Sequence, residues 1–178
     1  MKPRLSGLFA TLTLAVASLF SSGCMTVINQ GEIGVRDTFG AQSDTVSGPG
    51  FKLFFWPVFD ITTVSVQTTN LRVNLSLPSK EGLTIASEVS ILYSIEPKKV
   101  PVILQQIGTE YENRFILPVF RSAVADVTAR FAAKDMHSGK RRMIEEEVRK
   151  TMNRRIHGRG FVIEAVLLKS LRLPTGLS

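Results

Sequence analysis

The stretch TIASEVSILYSI, residues 84–95, alternates apolar and polar residues along most of its length. Successive side chains of a β-strand point to opposite faces of the sheet. The apolar positions therefore share one face: Ile85, Val89, Ile91, Tyr93 and Ile95. Polar residues occupy the other face: Thr84, Glu88, Ser90 and Ser94. This pattern predicts a strand with one face buried.

The period of the apolar residues changes from two to about 3.6 after Pro97, which indicates helices. Residues 98–107 are predicted to form a short helix that Gly108 ends. Thr109 and Glu112 have the spacing of a capping box, so a second helix is expected from there to about Phe131. Pro118 lacks a backbone donor and predicts a kink or a late helix start.

A third helix is predicted for residues 139–157. Its apolar residues form one narrow stripe: Ile144, Val148, Met152 and Ile156. Two pairs of opposite charge stand at i, i+4, namely Glu145 with Arg149 and Glu146 with Lys150.

Extended segments lie on both sides of the helices. The run FVIEAVLLKSL, residues 161–171, returns to period two and predicts a final strand with one apolar side: Phe161, Ile163, Ala165 and Leu167. Residues 33–39 and 61–67 also alternate, and Gly/Pro clusters separate these runs. Antiparallel hairpins followed by helices and a final strand predict an α+β fold.

The N-terminal segment has no charged residue between Arg4 and Glu32 and reads as a secretory signal. Small residues before Cys24 resemble the lipobox of a bacterial lipoprotein, although Ser21 stands where that motif usually has Leu. Cys24 is therefore a candidate for lipid attachment. The alternatives are an uncleaved signal anchor over Leu5–Ile28, which is long enough to cross a bilayer, and a Cys24 that is simply a small buried hydrophobe. Either membrane attachment exports the remaining chain to the bacterial periplasm.

The segment GFKLFFWPVF, residues 50–59, holds four Phe residues and the only Trp of the chain. In a strand, Phe51, Leu53 and Phe55 share one side, and we expect them to pack inward. The residues expected to contact lipid are Phe54, Trp56 and Phe59, because a tethered hairpin lies close to the bilayer and Trp suits the headgroup region.

The net charge of +7 is concentrated in residues 140–159, which hold eight Lys/Arg against three Glu. Such a helix can bind anionic lipid or nucleic acid. It can also be a solvated face with internal ion pairs or a contact between protomers, and this is the favoured interpretation because Glu residues are interleaved with the basic ones. No nucleic-acid partner is predicted, since aromatic residues for base stacking are missing from the helix.

Motifs that carry catalysis are missing from the sequence. His137 and His157 have no second His at ligand spacing, and a single Cys excludes a multi-cysteine metal site. The sequence contains neither a phosphate-binding loop that opens a helix nor a G-x-S-x-G elbow. We therefore predict no catalytic residue, no metal and no cofactor.

Several strings recur in the order and spacing of a known family. They are Gly34-Val35-Arg36, Gly48-Pro49-Gly50-Phe51, the run IGTEYENR at 107–114 before Leu117-Pro118, and Ala129-Arg130-Phe131. In these features residues 31–173 resemble the SPFH superfamily, also called Band 7 or the stomatin/prohibitin family, and most closely its prohibitin branch.

The resemblance implies a non-enzymatic, membrane-anchored scaffold. Its partners would be membrane lipids, further copies of itself or related SPFH protomers in rings or cages, and a membrane protease whose access to substrates it modulates. A different interpretation is a tethered periplasmic binding module or accessory chaperone that does not assemble into rings.

The expected domain organisation follows from these segments. Residues 1–23 are the signal or anchor and 24–30 a tether. The first, mostly β SPFH subdomain covers 31–78 and the second 79–173, separated by the linker-like Pro78–Gly82. Residues 174–178 would be the stub of a C-terminal coiled coil.

Overall fold

The computed structural model describes residues 23–38, 41–55, 59–137 and 139–172. The chain divides into two compact units, Met1–Val64 and Ser65–Ser178. The boundary expected at Pro78–Gly82 is wrong, because these residues form a hairpin turn in which the Ser79 N–H donates to the Leu83 carbonyl at 2.8 Å. Pro, Ser and Gly are typical of tight turns and of linkers alike, so composition alone does not separate the two.

The described part of the first unit consists of strands in two sheets. The strands are β1 (Gly23–Ile28), β2 (Glu32–Thr38), β3 (Ala41–Ser47), β4 (Gly50–Phe55) and β5 (Phe59–Ser65). Strand β1 pairs with β4, and the second sheet has the order β3-β2-β5. The expected tether at 24–30 is therefore mostly a strand, since β1 and β4 form an antiparallel ladder of six residue pairs.

The second unit is built on an antiparallel sheet of order β6-β7-β8. Its strands are β6 (Thr69–Pro78), β7 (Thr84–Ile95) and β8 (Phe161–Arg172). The apolar face predicted for residues 84–95 is confirmed, because all five apolar residues are buried. Ser90, predicted on the polar face, is buried too, and its hydroxyl donates to the side-chain oxygen of Asn70 at 2.9 Å.

Helices connect β7 to β8. A 3₁₀ turn at Pro97–Lys99 precedes α1 (Val100–Gln106), and a π-helical turn at Glu112–Ile116 precedes α2 (Leu117–Thr128). Two further helices follow, α3 (Ala133–His137) and α4 (Arg141–Arg155). Helix α4 packs on β8 and on α2, and α2 contacts β6. The stripe predicted for α4 is confirmed, since Ile144, Val148, Met152 and Ile156 are buried.

The start of α2 contradicts two details predicted from the sequence. Helical backbone runs without a break from Tyr111 through the π turn into α2, so the predicted late helix start at Pro118 is wrong. The capping box is wrong. No side chain caps the π turn or α2, and the Glu112 carboxylate instead accepts a hydrogen bond from the Tyr93 hydroxyl.

The strict alternation predicted for β8 is wrong beyond Ile163. Tyr93 pairs with Ile163 and Leu92 with Ala165, so Glu164 is an extra residue on β8, a β-bulge. The bulge reverses the facing of the residues that follow. Val166 and Leu168 are consequently buried, whereas Leu167 is 41% exposed.

Candidate functional site

Two of the exposed large apolar residues lie directly opposite each other in the first unit. Val27 of β1 pairs with Phe51 of β4, and their relative exposures are 60% and 55%. Residues opposite each other in an antiparallel ladder share a face of the sheet. The two side chains therefore form one exposed apolar patch.

The register extends this face along the ladder. Met25 pairs with Leu53 and Gly23 with Phe55, and alternation places these positions on the face that holds Val27 and Phe51. Apart from Gly23, the sequence is apolar at each of these positions. We call this face of the β1–β4 ladder the outer face. The expectation that Phe51 packs inward is wrong, because an alternating pattern identifies two faces without showing which of them is covered.

At the end of β1, the opposite face of the ladder meets the second sheet through Ile28. Ile28 of β1 is only 1% exposed. A Cβ atom at Gly34 of β2 would lie 2.6 Å from Cδ1 of Ile28 and 2.8 Å from Cγ2 of Ile61 in β5. Gly34 thus permits an approach of the two sheets that any side chain would obstruct, and this approach determines which face of the β1–β4 ladder points outward.

Two of the predicted contact residues, Cys24 and Phe54, lie on this ladder. Cys24 pairs with Phe54 across β1 and β4, and Phe59 begins β5. Trp56 lies outside the described residues. Lipid attachment at Cys24 and lipid contact by Phe54, Trp56 and Phe59 remain predictions. The sequence prediction does not include Val27 among the contact residues, because it assigns residues 24–30 to a tether. Apolar residues at 25 and 27 with Thr26 between them were a signal for a strand.

The basic helix α4 is crossed by ion pairs. Arg149 Nη2 lies 2.6 Å from Glu146 Oε1, and Lys150 Nζ lies 3.9 Å from the same oxygen. The hydrogen bond with Arg149 lowers the pKa of the Glu146 carboxyl, and the same bond raises the pKa of Arg149. The predicted Glu146–Lys150 pair is confirmed. Glu145 pairs with Arg141 at 3.3 Å instead of the predicted Arg149.

Further ion pairs tie α4 to itself and to α2. Arg154 lies 3.8 Å from Glu147, and Arg155 forms a short ion pair with Asp126 of α2. Most basic residues of the helix thus have an acidic partner within the protein. This arrangement agrees with the interpretation of α4 as an ion-paired surface.

A cluster of aromatic and acidic side chains fixes the π turn against the sheet. Burial, followed by the hydrogen bond to Glu112, raises the pKa of the Tyr93 hydroxyl well above its usual value, and burial also raises that of Tyr111. The rings of Tyr111 and Phe115 lie 5.7 and 5.6 Å from the ring of Phe161 at the start of β8. These contacts join β7, the π turn and β8, which is a structural role.

The described residues hold neither a metal-binding cluster nor a helix that could cross a membrane. No group of His, Cys, Asp and Glu within residues 23–38, 41–55, 59–137 and 139–172 could hold a metal ion. In the same part of the chain, every helix is too short or too polar to span a bilayer.

Comparison with known proteins assigns the family. A search of curated proteins finds no match. The sequence model of the SPFH domain / Band 7 family matches residues 26–178, which begins within β1 and includes the whole second unit. The predicted SPFH fold, with antiparallel strands followed by helices and a final strand, is thereby confirmed: the chain belongs to the SPFH domain / Band 7 family.

Proposed function

We propose that the protein is a non-enzymatic, membrane-attached scaffold of the prohibitin type, which assembles with further copies or related SPFH protomers on the exported face of a bacterial membrane. In this role it organises a region of the membrane or modulates a membrane protease. Proteins of this family are commonly membrane scaffolds. The observation that carries the proposal is the exposed apolar pair Val27 and Phe51 on the outer face of the β1–β4 ladder.

The position of the outer face in the chain favours lipid as its partner. The uncharged segment after Arg4 includes β1, and Cys24, the candidate lipid attachment site, is the second residue of that strand. A strand rises about 3.3 Å per residue, so Val27 lies roughly 10 Å along the strand from Cys24. An anchor in or directly before β1 therefore brings the outer face to the headgroup region.

The energy of this contact suits an orienting role. Full burial of a Val or Phe side chain is worth roughly 1.5–3 kcal/mol, so two side chains that are each about half exposed contribute about 2 kcal/mol. By itself this gives only weak, reversible binding, which flotation detects at a high lipid concentration. Stable attachment usually combines two signals, here the N-terminal anchor and the apolar face.

Flotation with liposomes tests the membrane contact without the anchor. A chain without residues 1–22 and carrying Cys24→Ser is compared with its Val27→Ser/Phe51→Ser variant. The matched control is Val162→Ser/Leu167→Ser, which removes two exposed apolar residues of β8. We expect the first variant to lose binding by roughly tenfold to a hundredfold, the equivalent of about 2 kcal/mol, and the control to bind normally.

A parallel variant, Phe54→Ser/Trp56→Ser, tests the residues predicted from the sequence. If it loses binding and Val27→Ser/Phe51→Ser does not, the membrane contact lies on the other side of β4. Equal binding by all chains would contradict a lipid contact by this hairpin.

A further inference from the structure

The sheet of the second unit has two edges, β6 and β8, and the edge of β8 is covered. Asn153 of α4 donates to the carbonyl of Ile163 at 2.9 Å and accepts the N–H of the same residue at 2.9 Å. Because both backbone groups of Ile163 bond to Asn153, they point away from β7, and Ile163 forms a non-hydrogen-bonded pair with Tyr93 in the ladder.

Two more side chains of α4 bind the backbone of β8 in the same way. Glu145 accepts the N–H of Leu168 at 2.8 Å, and Arg141 donates to the carbonyl of Lys169 at 3.2 Å. A sheet edge whose N–H and C=O groups are already bonded cannot accept another strand. Helix α4 thus closes this edge.

The edge of β6 is organised differently. All ten residues of β6 pair with β7 without a register shift. The Ser79 N–H bonds to Leu83 at the turn, so the odd-numbered residues bond to β7 and the even-numbered ones direct N–H and C=O outward. The outward residues with an N–H are Asn70, Arg72, Asn74 and Ser76. Among the described residues, no group hydrogen-bonds to their outward backbone atoms.

The side chains of β6 also suit the addition of a strand. The even positions 70, 72, 74 and 76 are polar and exposed, while Leu71, Val73 and Leu75 are only half-buried. Beside the strand lies a groove of about 210 Å³ between β6 and α2, where Leu75 and Leu77 face Val124 and Arg121. An added strand would cover the half-buried apolar residues.

We propose that the edge of β6 pairs with β6 of a second copy, antiparallel and about a two-fold axis, so that two sheets of three strands become one of six. The inference rests on the proposed self-assembly and names its contact. The sequence of β6 supports a second copy as the occupant. With the axis at Val73, residues 70–76 place apolar opposite apolar and polar opposite polar residues, and with the axis at Asn74, residues 71–77 do so.

Charge restricts the register further. Arg72 is the only charged residue of β6, and an axis through Arg72 would put two guanidinium groups directly opposite each other. With the axis at Val73, Arg72 lies opposite Asn74, and with the axis at Asn74 it lies opposite Ser76. Helix α4 prevents β6 from pairing with β8 of a neighbouring copy. Each copy must therefore contribute the same edge, that of β6. A contact between identical surfaces of two copies closes as a dimer.

Cysteine crosslinking of the full chain, extracted in mild detergent, tests the contact. Opposite Cα atoms in an antiparallel pair lie about 4.5–5.5 Å apart, within the range that a disulfide spans. Under a mild oxidant, the cysteine that lies on the two-fold axis should form a reducible dimer. This is Val73→Cys if the axis passes through residue 73, and Asn74→Cys if it passes through residue 74. Val162→Cys on the closed edge and the wild type, with Cys24 alone, should not form that dimer.

A second variant makes the test independent of the oxidant. Asn74→Pro removes an outward N–H and leaves the β6–β7 ladder intact, and Asn74→Ala is its control. The mass of the detergent-extracted particle should fall for Asn74→Pro only. One outcome would overturn the β6 contact alone. In it the wild type is an oligomer, Val73→Cys and Asn74→Cys crosslink no more than Val162→Cys, and Asn74→Pro keeps the mass of the wild-type particle. Self-assembly would then use another surface. A monomeric wild type overturns both proposals.

Discussion

Gly34 shows how a single residue determines which surface of the first unit is exposed. Its missing side chain lets Ile28 and Ile61 approach from the two sheets. Because Ile28 is then buried, the alternate positions of β1, including Val27, face outward. The proposed lipid contact therefore depends on a residue that does not touch the lipid.

Replacing Gly34 by Val should destabilise the first unit by about 1–3 kcal/mol, since the new side chain would overlap Ile28 and Ile61. Hydrogen exchange of backbone amides in β1, β2 and β4 measures this effect. The control is Gly48→Ala, because a Cβ atom at Gly48 meets nothing within 4 Å. Unchanged protection of β1 in Gly34→Val would contradict the close packing of the two sheets.

The Tyr93 hydroxyl is expected to make stability depend on alkaline pH. Its pKa is raised in the folded chain by burial and by the hydrogen bond to Glu112, so the folded state holds the proton more tightly than the unfolded state. The free energy of unfolding should therefore fall as the pH rises above about 10, the ordinary pKa of tyrosine.

Tyr93→Phe should reduce the decrease of the unfolding free energy with rising pH. Tyr111 should account for part of the decrease that remains, since its pKa is raised too. At neutral pH, the loss of the hydrogen bond should cost about 1–3 kcal/mol, because the part-buried Glu112 loses a donor. Urea unfolding at several pH values measures both effects. A decrease with rising pH equal to that of the wild type would show that Tyr93 does not titrate as the structure implies.

At the scale of elements, the pairing of α4 with β8 depends on side chains that bind backbone. Asn153→Ala removes the two hydrogen bonds to Ile163 and should destabilise the second unit by about 1–3 kcal/mol. Asn113→Ala, at an exposed position of the π turn, is the matched control and should have little effect. Similar protection of β8 amides in both variants would mean that the edge is closed by packing alone.

The elements also show where sequence patterns are sufficient. The stripe of α4 and the apolar face of β7 were predicted residue by residue, because regular helices and strands keep a constant period. In β8 the bulge at Glu164 interrupts the period, and so the burial of Val166 and Leu168 in place of Leu167 was missed. Such a bulge is set by pairing with a neighbouring strand, which the local sequence does not encode.

The candidate site was predicted only in part, for a related reason. The aromatic run at 50–59 indicated an apolar surface, and within it Phe51 is exposed. Its orientation depends on the packing of Ile28 and Gly34 with Ile61, which lies about thirty residues further along the chain. Likewise, Pro78–Gly82 has the composition of a linker, and only the pairing of β6 with β7 shows that it is a turn.

For the molecule as a whole, membrane attachment and self-assembly would use different units. The first unit carries the outer face of the β1–β4 ladder, and the second carries the open edge of β6. We therefore expect the two functions to separate in variants. Val27→Ser/Phe51→Ser should weaken contact with lipid and leave the particle mass unchanged. Asn74→Pro should lower the particle mass and leave contact with lipid unchanged. Flotation and sedimentation of both variants measure the two effects, and a variant that impairs both would show that the functions are coupled.

The most direct measurement of the central claim is the depth of residue 51 in a bilayer. The full chain carrying Phe51→Cys is labelled with an environment-sensitive dye and reconstituted into vesicles that contain brominated lipids. Val162→Cys serves as the control, and the wild type corrects for any label on Cys24. The account predicts strong quenching at residue 51 and none above the wild-type background at residue 162. Equal quenching at the two positions would contradict the contact of the outer face with the membrane.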